Sequence, residues 1–456
     1  MKPARRDFGF RRFSPSFGRV KRSPLLPIFL VVLVDVLGFT IVYPLLPFYA
    51  ERFGASPLVA TTLVSVYALC SLFSTPVIGR LSDQYGRRRL LLLSQAGTCA
   101  GFLVIGFAQG LWMLFLGRIL DGLTAGNLST AQAYISDHTR PENRARAFGL
   151  IGIAFGIGFS LGPALAGSLS HYGLHGAVPA GQSGELPFVV AAGLSVISMI
   201  CSYTLLEPGV AASAAAPAPA PALADVASAP GGKRPAVFDL SVYLDYFRRP
   251  GLGSLYLQFF LFTFSFTAFM SGFALFAERR FMTGDGHSWT SREVGYLFTY
   301  SGVLGIILQG GLLGRLVKRF GESQLALAGF AAMVVSYLAL GFTGTLGPLL
   351  VITAISSFGS GVTRPVLTSE ITRRVGRHEQ GVAIGISGSL NSLSMTIAPP
   401  IGGALLGLAG AVGHADQSWL VAWTLVPAAA AAVGLIAAVR TRARKSAAAA
   451  PAAGER

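Results

Sequence analysis

Asp35 stands about ten residues into an apolar stretch, Asp35-Val-Leu-Gly38-Phe-Thr-Ile-Val-Tyr-Pro44-Leu-Leu-Pro47, with no other charge between Leu25 and Ala50. A carboxylate at that depth in a bilayer costs about 2.5 to 3.5 kcal/mol on insertion scales, so it faces the interior of a helix bundle and marks function. Burial and a nearby cation act on its proton in opposite senses. A group balanced between them can take a proton from one side and give it up on the other. A hydrogen-bonded lock between helices is the plainer alternative. Arg118 and Asp121 follow in Gly117-Arg118-Ile-Leu-Asp121-Gly122, inside another apolar stretch. Three residues apart on a helix, they share a face and can pair, which offsets the cost of burying either. They are expected to act with Asp35 in proton coupling, or to form a self-contained pair that fixes the helix in register.

Polar side chains that could meet a solute are sparse. Asn127 and Gln132 follow that pair, Gln258, Gln309 and Asn391 come later, and Phe262 and Phe266 belong to a Phe-rich run. Inward-facing rings of this run would suit a flat apolar compound. No nucleophile, base and metal-ligand set converges at one depth, and no Gly-Lys-Ser/Thr phosphate loop occurs, so neither an enzyme nor ATP-driven transport is expected. The three cysteines, Cys70, Cys99 and Cys201, show no pairing or metal spacing, so no metal and no cofactor are expected.

These residues must be positioned by membrane helices. The 456 residues are 52% hydrophobic and 12% charged, too few ionisable groups to solvate a globular surface of this size. Twelve apolar segments are each long enough for a hydrocarbon core of about 30 Å at a helical rise of about 1.5 Å per residue. They run roughly over 25–50, 57–79, 90–108, 111–135, 146–170, 186–206, 251–277, 292–313, 323–342, 347–370, 380–408 and 418–439. Of the 36 Lys and Arg residues, 30 fall in the termini and alternate connectors. Such an excess marks the cytosolic side, so both termini are expected there, and the net charge of +16 reads as membrane topology and not as a nucleic-acid surface.

The expected organisation is a basic cytosolic segment 1–24, a six-helix bundle 25–206, a cytosolic linker 207–250, a second six-helix bundle 251–440 and a cytosolic tail 441–456. Residues 207–235 are mostly Ala, Pro, Ser and Gly, too small and Pro-rich to bury a core. Residues 236–250 could form a short helix on the membrane surface. The connector Gly79-Arg80-Leu81 through Gly86 is echoed by Gly314-Arg315-Leu316 through Gly321, again between apolar segments. Two similar halves with a site at their interface is the alternating-access plan.

Gly79-Arg-Leu-Ser-Asp83-Gln-Tyr-Gly86-Arg87-Arg88 resembles the loop signature of the major facilitator superfamily, and its echo is the weaker second copy. The spacing from Asp35 to Pro47, the Arg-x-x-x-Gly from Arg118 to Gly122, and Gly162-Pro163-x-x-x-Gly167, preceded by Gly158, resemble its twelve-span drug:proton antiporters, including the tetracycline-efflux branch. The resemblance implies that Arg118 approaches ionised Asp35, and that the span-five glycines favour export over import. It also implies a cytosolic latch between the halves, made by Asp83 and Arg87 with Asp137 as acidic partner. Gly101 stands where the tetracycline branch has a span-three carboxylate, span eight lacks a histidine, and span nine lacks an aspartate.

The expectation is therefore an all-α polytopic protein of the bacterial inner membrane, twelve helices in two pseudo-symmetric bundles, working as a monomer. It would export a small amphipathic compound in exchange for protons. Its partners would be that solute, protons and the lipid bilayer, with no nucleic acid. The alternatives are a proton symporter importing a sugar or organic acid, and a non-transporting membrane sensor of the same fold.

Overall fold

The computed structural model describes residues 25–139, 141–173, 176–177, 184–206, 240–284, 286–376, 379–411 and 418–449. The basic segment 1–24, the Ala/Pro-rich stretch 207–235 and the last residues of the tail lie outside them. The first half contains α1 (Leu25–Glu51), α2 (Pro57–Tyr85), α3 (Arg87–Gly106), α4 (Leu111–Leu123), α5 (Asn127–His138), α6 (Pro141–Leu169) and α7 (Leu186–Leu205). The second contains a short α8 (Leu240–Arg248), then α9 (Leu252–Arg280), α10 (Ser291–Ile307), α11 (Leu313–Phe320), α12 (Glu322–Phe342), α13 (Leu346–Arg373), α14 (Gln380–Ala411) and α15 (Ser418–Ala449). A two-residue ladder, Tyr172–Gly173 with Gly176–Ala177, lies between α6 and α7.

Among the described residues, nine stretches are long and apolar enough to cross a membrane as single helices, one of them running from α10 through α11. The broken pair α4–α5, the long α6 and the long α14 fill the three remaining span positions. The chain is a multi-pass membrane protein with the expected all-α architecture. Its core forms mainly as one cluster spanning both halves around Tyr49, Phe188, Phe273 and Trp423, and one inside the second half around Tyr256, Phe330 and Met333.

Three local departures from the expected spans have physical causes. Span four, expected to be continuous over 111–135, breaks between Leu123 and Asn127. The Gly122 and Ala125 carbonyls at the break accept hydrogen bonds from Ser74 Oγ at 2.6 Å and Thr75 Oγ1 at 2.8 Å on α2. Backbone groups released inside a membrane need such partners. Span eight carries a π-helical turn over Leu308–Leu312, an insertion common at functional positions. Finally, α2 continues past Gly79 to Tyr85, so only Gly86 makes the turn, at φ 95°. Gly321 makes the corresponding turn in the second half at φ 77°, so the repeated glycine is a repeated backbone requirement.

The halves meet through α2 against α14, α6 against α10, and α1 against α9. Several contacts between them lie on the side away from the basic connectors. Arg279 pairs with Glu51 at 2.6 Å, a Cβ on Gly295 would strike the backbone of Pro163 and Gly167, and a Cβ on Gly403 would strike Pro57, Leu58 and Thr61. On the basic side the ion pairs stay within one half. Arg87 with Asp83 and Asp137 belongs to the first, and Arg373–Glu322 and Arg249–Glu379 belong to the second. The cross-half ion pair and these close glycine contacts thus lie together at one mouth.

Helix α8 is anchored by a two-pronged pair in which Arg249 Nη1 and Nη2 donate to Glu379 Oε2 and Oε1 at 3.0 and 2.9 Å. Arg249 and the Gly376 amide hold the Glu379 carboxyl below its usual range. A lowered value means that the contribution is present above the ordinary carboxylate range and lost as pH falls through the folded value. Both side chains are more than a third exposed, so it amounts to about 0.2–1 kcal/mol. Amide exchange should show protection of α8 falling by up to about fivefold as pH drops from about 7 to about 3, below the ordinary carboxylate range, with Glu379→Gln already at the lower protection at the higher pH. Equal protection in both proteins at both pH values would show that the pair does not hold α8.

Candidate transport and proton site

Asp35 lies mid-way along α1 and keeps partial exposure. Its carboxyl group lies close to Ser198 of α7 and Gln95 of α3, and Gln95 Nε2 donates to Ser198 Oγ at 2.7 Å. Beside it, Arg118 Nη1 donates to Asp121 Oδ2 at 3.1 Å, and both residues are 3% exposed. The Arg118 guanidinium sits 4.4 Å from the centre of the Tyr67 ring on α2. Thr98 hydrogen-bonds Asp121, and Tyr67 is within electrostatic reach of Asp35, Arg118 and Asp121 together. Asp35 and Asp121 are close enough to repel when both are ionised. The structure thus gathers the three expected proton-coupling residues into one cluster between α1, α2, α3, α4 and α7.

The pairing within the cluster differs from the implied one. Arg118 is engaged by Asp121 and Tyr67, while Asp35 lies beside neutral donors. Arg118 Nε is buried without a hydrogen-bond partner, leaving one donor of the guanidinium uncommitted. Asp35 and Asp121 lie close enough to interact, so moving the guanidinium from one to the other would change the charge state of both.

Glycines set the depth of this cluster. A Cβ on Gly101 would strike the Gly117 carbonyl and the Asp121 side chain, which explains why span three has no larger residue there. Cβ atoms on Gly158 and Gly162 would collide with Val36 and Thr40, which flank Asp35 on α1, and Thr40 Oγ1 donates to the Gly158 carbonyl at 2.9 Å. Gly167 and Pro163 have another neighbour: they seat Gly295 of α10 in the other half. The span-five motif therefore joins the Asp35 helix to the inter-half contact.

The expected solute-lining residues separate. Gln309, exposed in the π turn, points at Gly156 of α6 from the other half, and Asn391 is half-buried with its amide 3.5 Å from Met395 Sδ. Gln132 is half-buried, and so is Asn127 at the start of α5, whose Oδ1 lacks a partner. Gln258 is a correction: it is 2% exposed and its Nε2 donates to Ser254 and Thr441, tying α9 to α15. Phe262 is likewise buried in the second half's core, stacked on the half-buried Phe266 at 6.1 Å. A long amide in a Phe-rich helix closes a helix seam here because Thr441 offers the hydroxyl it needs.

Arg87 pairs with Asp83, and its Nε lies 3.0 Å from Asp137 Oδ2, so the three residues expected to form the latch are brought together, here within the first half. Arg88 donates to the Tyr203 carbonyl and stacks on its ring at 4.5 Å, joining α3 to α7. In the second copy Gly314 and Arg315 are exposed. Gly79 has open space around it, so no packing demand explains it.

The sequence model described as the Major Facilitator Superfamily matches residues 28–284 and 280–456, almost the whole chain. The chain belongs to the Major Facilitator Superfamily. Within the superfamily it is 30% identical over 411 residues to a class G tetracycline resistance protein of Vibrio anguillarum, covering 88% of this chain and 94% of that one. It is 28% identical over 410 residues to the class C protein of Escherichia coli, covering 88% and 93%. Two solved structures share the fold. The human organic anion transporter MFSD10 matches at TM-score 0.63 and 22% identity, covering 91% of this chain and 99% of that one. A bacterial Spinster homologue in an inward-facing, unoccupied conformation matches at TM-score 0.69 and 16% identity, covering 92% and 97%. The chain is a transporter and not an enzyme.

Sequence reading found Asp35, Arg118 and Asp121 but missed Gln95, Ser198, Tyr67 and the helix break beside them. Gln95 was findable as an amide inside an apolar span. The small polar run Thr124-Ala125-Gly126-Asn127 also signalled an interruption.

Proposed function

We propose that this chain exports a small amphipathic compound from the cytosol in exchange for protons, by alternating access. The observation that carries the reading is the cluster itself: a partly open carboxylate at mid-span, beside neutral donors, next to a buried carboxylate–guanidinium pair. Asp35 carries the proton, Arg118 governs its release through Asp121, and the solute enters between the halves past Gln309 and Asn391. The basic connectors lie in the cytosol, and the mouth held by Glu51 and Arg279 faces outward. The Arg87 cluster and its counterpart Arg373–Glu322 are then free to exchange partners when the cytosolic mouth shuts. Similarity to proteins named for tetracycline resistance supports export across a bacterial inner membrane. The absent span-three carboxylate at Gly101 points to a solute other than tetracycline.

The test is uptake of a panel of amphipathic compounds into everted membrane vesicles expressing the chain. Export predicts accumulation that a protonophore collapses and that ATP does not restore. Uptake only in right-side-out vesicles would instead support proton-coupled import. No flux with any compound, from folded and correctly inserted protein, would favour a sensor.

A further inference from the structure

Glu51 ends α1, and Glu278 and Arg279 stand near the end of α9, so the three meet across the halves. Arg279 Nη2 lies 2.6 Å from Glu51 Oε1, and Nη1 lies 3.5 Å from Glu278 Oε2. Nη1 also donates to the Leu275 carbonyl at 3.0 Å, which fixes the guanidinium between the two acids. Glu278 is within hydrogen-bonding reach of Glu51. The other charged groups at this mouth are committed elsewhere. Arg52 pairs with Glu185 at 2.9 Å beside Tyr49, Arg280 donates to the Thr343 carbonyl, Arg292 to Tyr296, and Glu293 caps α10 through Thr290. His171 lies after α6 and His287 on the loop between α9 and α10, its backbone bonded to Thr283, while His175, Asp285, His414 and Asp416 are outside the described residues. Among the described residues Arg279 therefore sits between two carboxylates close enough to interact, which cannot both stay ionised without repulsion.

We propose that Glu51, Glu278 and Arg279 form a proton-binding gate at the outer mouth, a site distinct from the Asp35 cluster. The proposal rests on the alternating-access reading. Sixteen residues separate Glu51 from Asp35 along α1, about 24 Å at a rise of about 1.5 Å per residue, so the two sites do not share a proton. When the mouth closes, the pair takes one proton from the outer solution. The resulting carboxylic acid donates to its neighbour, and the remaining carboxylate is neutralised by Arg279. When the mouth opens, the acids separate into water and the proton returns to the same solution. No proton crosses the membrane here. External acid instead favours the closed outer mouth, and so the cytosol-open form in which the next solute is loaded.

The test uses the full chain in lipid nanodiscs with Cys70→Ser, Cys99→Ser and Cys201→Ser, and spin labels at Tyr172→Cys and Met282→Cys, two exposed positions on opposite halves. Distances between the labels are measured from about pH 5.5 to about 8.5, where a single proton shifts the closed-to-open ratio by about tenfold per unit. The expected result is a closed population that shrinks as pH rises. Glu278→Gln, whose amide can donate without taking up a proton, should stay closed across the range. Arg279→Gln should shift towards open at every pH. A pH profile unchanged in Glu278→Gln would overturn the gate while leaving alternating access standing. One fixed distance in all proteins would overturn both. Should Arg279→Gln fail to fold, Glu278→Gln alone decides, because it retains the Glu51–Arg279 pair.

Discussion

Asp35→Asn is expected to abolish uphill export while leaving solute exchange intact. The amide keeps the size of the carboxyl and its neighbours Gln95 and Ser198, but it carries no exchangeable charge. At a membrane potential of about 100 mV one inward proton supplies about 2.3 kcal/mol, enough to hold a neutral solute at roughly a fifty-fold gradient. Without the proton that gradient should fall to unity, and counterflow of labelled against unlabelled solute should continue. Uphill transport surviving in Asp35→Asn would move coupling to another carboxylate, with Asp121 the nearest.

Arg118→Leu is expected to be the most destabilising single change in the membrane core. It leaves Asp121, 3% exposed, without its cation, and breaking a buried pair from one side costs about 3–5 kcal/mol. Asp121→Leu should be costly for the reciprocal reason, since it strands the guanidinium over Tyr67. The double variant Arg118→Leu/Asp121→Leu should be more stable than the sum of the singles, because both unpaired charges are gone. Thermal unfolding in detergent measures all three. Additive losses would mean that the pair contributes no mutual stabilisation. A stable double variant that still drives uphill export would reduce the pair to a helix lock and remove Arg118 from proton coupling.

The fold was largely legible because membrane spans are written in composition. Runs of apolar residues separated by basic connectors located the helices, and the glycine echo at Gly86 and Gly321 located the duplication. The chemistry was legible where a charge was isolated in an apolar run, as at Asp35, Arg118 and Asp121. Partner choice was not legible, because it depends on how helices rotate against one another. Nothing in the spacing says that Arg118 turns to Asp121 and Tyr67 while Asp35 turns to Gln95 and Ser198. The same rotation sends Gln258 towards Thr441 and away from the cleft. The Arg87 loop was read as a bridge between halves, and here its acids come from its own half. The break after Leu123 depends on Ser74 and Thr75, hydroxyls on a different helix that sequence reading had no reason to connect to it.

If Asp35 carries the proton, solute and proton compete at its cluster. The most direct measurement is the pH change of a weakly buffered detergent solution of purified protein when an exported compound is added. Proton release from the native chain should saturate with solute and be absent in Asp35→Asn, which still binds the compound. Binding without proton release from the native chain, or the same release from Asp35→Asn, would contradict it.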